Sequence, residues 1–267
     1  MHSEFYTAAQ KEFILVSLDF PRGEEAKAAV PNPDRNRELM NQYGVRGFPT
    51  VIIASAEGVA YGKTGYRDMD PTDYVVDVQR IRDTGKEALK NIRSLEAEMG
   101  SSKDKLAVCL RAAEMLKDME AGAPGMSVLA DMVRKGMELT DSKETTINFL
   151  TILFSSGAVT ETDLKKVEKL DPKNEHGLML KVVVYEMGIL EEEGLADFLA
   201  LAEKLYATEN VKSNEDSRSV YGTCANIERY LENMDGAKKW AARMFDLGGL
   251  NERQQNFVST ILNSKDE

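Results

Sequence analysis

Catalysis needs nucleophiles, acids, bases or metal ligands at workable spacing, and this 267-residue chain offers few of them. Its only cysteines, Cys109 and Cys224, lie far apart, and neither belongs to a Cys-x-x-Cys pair. His2 and His176 are the only histidines. Such an inventory indicates no disulfide framework or zinc site, and it nearly excludes metal clusters and histidine-based triads, which need several of these groups in one place. Isolated cysteines on helices behave most often as small core residues. Neither Cys109, inside an amphipathic stretch, nor Cys224, in Tyr221-Gly-Thr-Cys-Ala225, shows the helix start or basic neighbour that would lower a thiol pKa. No catalytic residue, metal ligand or cofactor is assigned.

Three weaker patterns have plainer explanations. Gly62-Lys63-Thr64-Gly65 resembles part of a phosphate loop, but the glycine required five residues earlier is replaced by Glu57. A strand running into a glycine bend accounts for it better. The run Glu191-Glu-Glu193 fits a solvated helix start, where negative charge meets the positive end of the helix dipole. Met115, Met119, Met132 and Met137 fit adaptable core filling, although a peptide groove would also use them.

The most informative stretch is Tyr43-Gly-Val-Arg-Gly-Phe-Pro-Thr50, followed by an apolar run to Ala54, a Glu57-Gly58 turn, and Gly65. It resembles the second half of a thioredoxin domain, which carries a proline loop beside a redox dithiol. The resemblance covers roughly residues 3–82. It implies a cis Phe48–Pro49 bond and a substrate-facing surface made by Phe48, Pro49 and Gly65, where an extended polypeptide pairs with the backbone. It also implies thiol–disulfide exchange on protein cysteines through a mixed-disulfide intermediate. The family's Cys-x-x-Cys lies upstream of such a proline, at a helix start, and this sequence contains none.

Around that motif, Glu12–Leu18 is an apolar, β-branched run of strand length. Residues 34–43 read as a short helix with Leu39 and Met40 on its buried side and Gly44 as its stop. Thr50–Ala54 and Val59–Thr64 read as antiparallel strands, and Asp70-Pro71 as the cap and first turn of a long helix bearing Tyr74, Val75, Val78 and Ile81. Ser3–Gln10 looks like the tail of the helix that bears the cysteines in the family. The family's central strand, between those matching 12–18 and 50–54, is missing, which implies open edges and an unfilled core. Two explanations remain: a start within a longer protein that carries the strand and dithiol, or a degenerate domain kept as a binding surface. The first is favoured, because losing a central strand costs more than losing two cysteines. This chain alone is expected to be redox-inactive.

Five of the seven prolines fall in the first 71 residues, and from about residue 84 the periodicity is helical throughout. Leu106, Leu110, Ala113 and Leu116 mark one stripe; Leu178, Val182, Tyr185 and Ile189 mark another. Breaks are expected at 100–102, 121–125, Gly157, Asp171-Pro172 and Gly248-Gly249. The stretches Lys169–Leu180 and Tyr230–Trp240 resemble junctions between tetratricopeptide-type hairpins, in which Asp-Pro ends one helix and Asn caps the next. No clean 34-residue period accompanies them, so a degenerate helical-hairpin array is expected.

The net charge is -11, and the first 72 residues hold 8 Lys/Arg against 10 Asp/Glu, so most of the acidity lies beyond them. Such a field disfavours nucleic acid and anionic lipid as partners. No run of apolar residues is long enough to cross a bilayer. Met1–Tyr6 lacks the pattern of a secretion signal. The compartment is left open, since similar bacterial proteins are often exported. The expected architecture is a truncated thioredoxin-like α/β domain over residues 1–83 and an α-helical hairpin domain over 84–267. The expected partner is a protein or peptide substrate; the competing reading is a non-catalytic interaction module built on the hairpins.

Overall fold

The computed structural model describes residues 3–119 and 122–264, so His2 lies outside the described residues. The chain is mostly helical with one small antiparallel sheet, and it divides into two compact units, Met1–Leu139 and Thr140–Glu267. The division expected at 83/84 falls instead inside one continuous helix, Pro71–Ser101. No break in its residues interrupts the hydrogen-bond ladder there: Gly85 is tolerated because, as described below, only glycine fits against the sheet.

The first unit begins with α1 (Ser3–Ala9) and continues through α2 (Glu24–Ala28) and α3 (Pro33–Gln42). Helix α3 starts on Pro33, whose fixed φ suits a first turn, and ends at Gly44 with φ +58°. Leu39 and Met40 are half-buried on it, and Asn36 is the residue it buries. Strands β1 (Thr50–Ala54) and β2 (Ala60–Gly65) pair in antiparallel register, Thr50 opposite Gly65 and Ile53 opposite Gly62. The next pair is Ala54 with Ala60, so Tyr61 is the extra residue of a bulge. Ser55 closes the turn: its Oγ accepts from the amides of Glu57 and Val59 at 3.2 Å each.

Helix α4 (Pro71–Ser101) packs on this hairpin. Asp70 caps it by accepting from the Thr72 amide at 2.9 Å, and Val75 and Val78 are buried while Tyr74 and Ile81 are half-buried. Two glycines set the distance between the layers. A Cβ on Gly85 would lie 1.8 Å from the Tyr61 carbonyl oxygen, and one on Gly62 would lie 2.4 Å from Ile81 Cγ2. Helices α5 (Lys105–Lys117) and α6 (Met126–Glu138) complete the unit.

Two expectations here need correction. The run Glu12–Leu18 forms no strand; residues 13–20 carry neither helix nor sheet pairing. A strand is defined by its neighbour, and among the described residues none lies alongside, leaving Ile14 94 % and Val16 77 % exposed. On α5 the buried stripe is Val108, Cys109, Ala112, Ala113 and Leu116, whereas Leu110 is exposed. Small residues face the neighbouring helices because they allow close approach.

The second unit consists of α7 (Lys143–Ser156), α8 (Glu161–Leu170), α9 (Leu178–Gly188), α10 (Leu195–Tyr206), α11 (Glu215–Tyr230), α12 (Met234–Leu247) and α13 (Glu252–Leu262). Adjacent helices joined by short turns pack as pairs, closely for α11 with α12 and α12 with α13. Asp171 and Asn174 build the α8–α9 corner. Asp171 accepts from the amides of His176 and Leu178, and Asn174 Oδ1 accepts from Leu180 at 3.1 Å, so the asparagine caps α9 from a distance. Leu178 and Val182 are buried on α9, Tyr185 is half-buried, and Ile189, past the helix end, is exposed.

Candidate functional site

Phe48, Pro49 and Gly65 meet at one end of the hairpin. Gly65 pairs with Thr50, and a Cβ there would lie 3.0 Å from the Pro49 carbonyl oxygen, so the close approach favours glycine. The Tyr74 hydroxyl donates to the Gly65 carbonyl at 3.0 Å and ties this end to α4. Thr50 Oγ1 donates to Gly47 at 2.6 Å, closing the loop that presents Phe48. The Phe48–Pro49 bond is cis. The Phe48 ring stacks on Phe20 with centroids 5.1 Å apart, yet Phe48 stays 63 % exposed. The outer edge of β1 carries no strand among the described residues. The result is an aromatic platform beside backbone amides and carbonyls open to pairing.

Neither cysteine offers an exposed thiol to that platform. Cys109 and Cys224 are both buried and both free. Burial pushes the Cys109 thiol up, only partly opposed by the charge of Lys135. Burial pushes Cys224 up further, helped by Glu203 and Glu228. Both stay protonated and enclosed at neutral pH, and Cys109 Sγ rests 3.9 Å from Met99 Sδ. We expect Ellman's reagent at pH 8 to find no reactive thiol in the native chain and two after denaturation; one fast-reacting thiol in the native chain would contradict the burial. The alkaline side follows from the same groups. The Tyr221 hydroxyl is pushed up by burial from 10.0 to about 12. The unfolded phenol ionises near its ordinary value while the native one holds its proton, so stability present below pH 10 declines as pH rises through 10 to 12.

The remaining sequence candidates are structural. Lys63 and Thr64 sit within β2, with Gly62 pressed against α4. Glu191–Glu193 is exposed and leads through a 3-10 turn, Glu192–Gly194, into α10. Met132 and Met137 are core residues; Met115 and Met119 are half-buried. His176 is exposed, and no group of three or more His, Cys, Asp or Glu that could hold a metal occurs among the described residues. Among the described residues, no helix is long and apolar enough to cross a membrane.

Two grooves were not anticipated. In the first unit, Lys86, Lys90 and Arg93 on α4 flank Tyr61 and the 55–59 turn around about 310 Å³. Lys86 Nζ lies over the Tyr61 ring, 5.3 Å from its centre. Glu57 also lines this groove, and Lys90 pairs with Glu87 at 3.7 Å, so its cations are partly offset. In the second unit, α11, α12 and the start of α13 border an open groove of about 400 Å³. Arg218, Arg253 and Asn226 line it over Met244 and Phe257, and no acidic residue contributes. One signal for it was present in the sequence: Arg253 sits in the first turn of its helix, where the dipole favours the opposite charge.

No protein-family model, curated protein or solved structure matches this chain.

Proposed function

We propose that this chain contributes the polypeptide-binding part of a thioredoxin-type protein acting on the thiols and disulfides of other proteins. The observation that carries this reading is the exposed Phe48 platform, held by Pro49 and Gly65 at the head of a strand with an open outer edge. Such an edge takes an extended segment through main-chain hydrogen bonds, and the aromatic face adds apolar contact without demanding a particular sequence. The exchange chemistry itself needs an accessible thiolate. Cys109 and Cys224 do not provide one, so the role of this chain is to hold the substrate backbone.

Carboxymethylated insulin B chain, which is extended and has no free thiol, is a suitable probe. Titrated into isotope-labelled protein, it should shift the amides of Phe48, Thr50–Ala54 and Gly65, and Phe48→Ala should weaken it about tenfold. The chain should leave intact insulin disulfides unreduced. Rapid reduction of insulin would refute the assignment of roles. Shifts confined to residues 140–264 would replace it with an interaction module built on the helices.

The interaction module is kept as a second reading because one feature favours it. The groove of the second unit pairs two arginines with an apolar floor and has no acid among its lining residues, a combination that suits recognition of an anionic partner.

A further inference from the structure

We propose that the open groove bordered by α11, α12 and the start of α13 is a binding site for a small phosphate monoester: a dianionic group carried on an apolar body. The inference rests on this groove alone and is independent of the Phe48 platform.

The charge pattern comes first. The chain has a net charge of -11, with most of its acidity in the later part, yet the groove is lined by Arg218 and Arg253 and by no carboxylate. An arginine in such a field ordinarily finds an acidic partner, as Arg243 does with Glu203 at 2.8 Å in the same unit. Arg253 has no hydrogen bond or ion pair among the described residues. The Arg218 side chain makes one hydrogen bond, from Nη1 to the neutral Ser213 hydroxyl at 3.2 Å. Its Nε is buried from solvent and has no acceptor. With no accessible surface, that N–H is out of reach of a ligand, so an anion in the groove would meet the Nη groups instead.

The second line is the supply of donors. Asn251 Oδ1 accepts from the Gln254 amide at 2.9 Å, and Gln254 Oε1 accepts from the Asn251 amide at 3.1 Å. This capping box uses both side-chain oxygens, which leaves the two amide NH2 groups available as donors. Arg253 belongs to the first turn of the same eleven-residue helix, so its guanidinium adds to the positive end of the dipole. Guanidinium groups match the oxygens of phosphate with paired hydrogen bonds. Two of them balance a dianion, whereas a single carboxylate would leave one without counter-charge.

The third line is shape. Gly222 lines the wall, and a Cβ there would stand 3.5 Å from Met244 Sδ and 3.9 Å from Phe257 Cε1, so its absence keeps the floor open. Met244 and Phe257 give an adaptable apolar surface for the body of the ligand. A volume of about 400 Å³ accommodates a ring plus a phosphoryl group.

The test uses the full chain at low ionic strength, with phenyl phosphate, inorganic phosphate and phenylacetate as probes followed by calorimetry and amide shifts. Phenyl phosphate should saturate, perturbing Thr223 and Asn226, and should bind about tenfold more tightly than either phosphate without the ring or phenylacetate with one charge. Arg253 is exposed, so Arg253→Gln should keep the native Trp240 fluorescence while weakening phenyl phosphate about tenfold. Added salt at about 0.5 M should weaken it as well. Failure of phenyl phosphate to saturate, equal affinity for phenylacetate, or unchanged affinity in both Arg253→Gln and Arg218→Gln would each overturn the proposal. None of these outcomes depends on residues 48–65, so the test stands or falls apart from the insulin B chain titration.

Discussion

Replacing Gly85 with valine should dismantle the packing of α4 on the hairpin while leaving the second unit intact. The Cβ of any other residue there would stand 1.8 Å from the Tyr61 carbonyl oxygen, with the Tyr61 carbonyl carbon at 2.6 Å. Both are backbone atoms in the bulge of β2, so neither can swing aside as a side chain would. The helix must therefore lift from the sheet. That separates Val75 and Val78 from the hairpin and exposes Ile53, which is 4 % exposed in the native chain. Overpacking of this kind costs about 3 kcal/mol or more. Hydrogen exchange at residues 51–54 and 60–65 reads the effect, because protection there should collapse toward that of a loop. The single tryptophan, Trp240, belongs to the second unit, and its unfolding transition should stay unchanged. Native protection across the hairpin in Gly85→Val would show that α4 does not rest on β2 in this way.

Trp240→Ala should produce the largest loss in the second unit, about 4 kcal/mol. Trp240 is 1 % exposed and lies 5.3 Å from the Tyr221 ring and 6.5 Å from that of Tyr206. The guanidinium of Arg243 sits 4.3 Å from the tryptophan ring centre and 3.7 Å from that of Tyr206. Glu203 on α10 accepts from Arg243 and Lys239 on α12. Burial raises the Glu203 carboxyl, but those two hydrogen bonds outweigh it and leave it below its ordinary value. Removing the indole opens a cavity under this ion pair and loses one face of the cation–π stack. Denaturant unfolding followed at the far-ultraviolet helix signal should show the transition of the second unit displaced to lower denaturant. Trp240→Phe, which keeps an aromatic ring, should recover about half of the loss. An alanine variant that unfolds with the wild type would mean that the aromatic cluster does not organise α10–α12.

Elements whose boundaries are set by their own residues were legible in the sequence. Asp70-Pro71 starts α4, Gly157 ends α7 with φ +71°, and the 50–54 and 60–65 strands lie within one residue of their expected ranges, because caps, prolines and turns act over a few positions. The segment 12–18 shows the opposite case. Its composition is that of a strand, but pairing is a property of two segments, and composition carries information about only one. The rotated stripe on α5 has a similar origin: Leu110 and Val108 are equally apolar, and which one is enclosed depends on where α4 and α6 lie. At the hairpin end, Phe48, Pro49 and Gly65 were identifiable as a group. The arginine groove was not, because Arg218 and Arg253 are 35 positions apart and only the packing of α12 against both α11 and α13 brings them to one groove.

The unpaired stretch 13–20 has a practical consequence. A ribbon that keeps Ile14 and Val16 in solvent, with its main-chain groups unladdered, is a template for any strand of like character, including the same ribbon on another molecule. Growth by such pairing is open-ended, since each added ribbon presents a fresh border. Replacing Ile14 and Val16 with lysine should therefore raise the concentration at which the polypeptide begins to associate, and the abundant negative charge should oppose the same association at low salt.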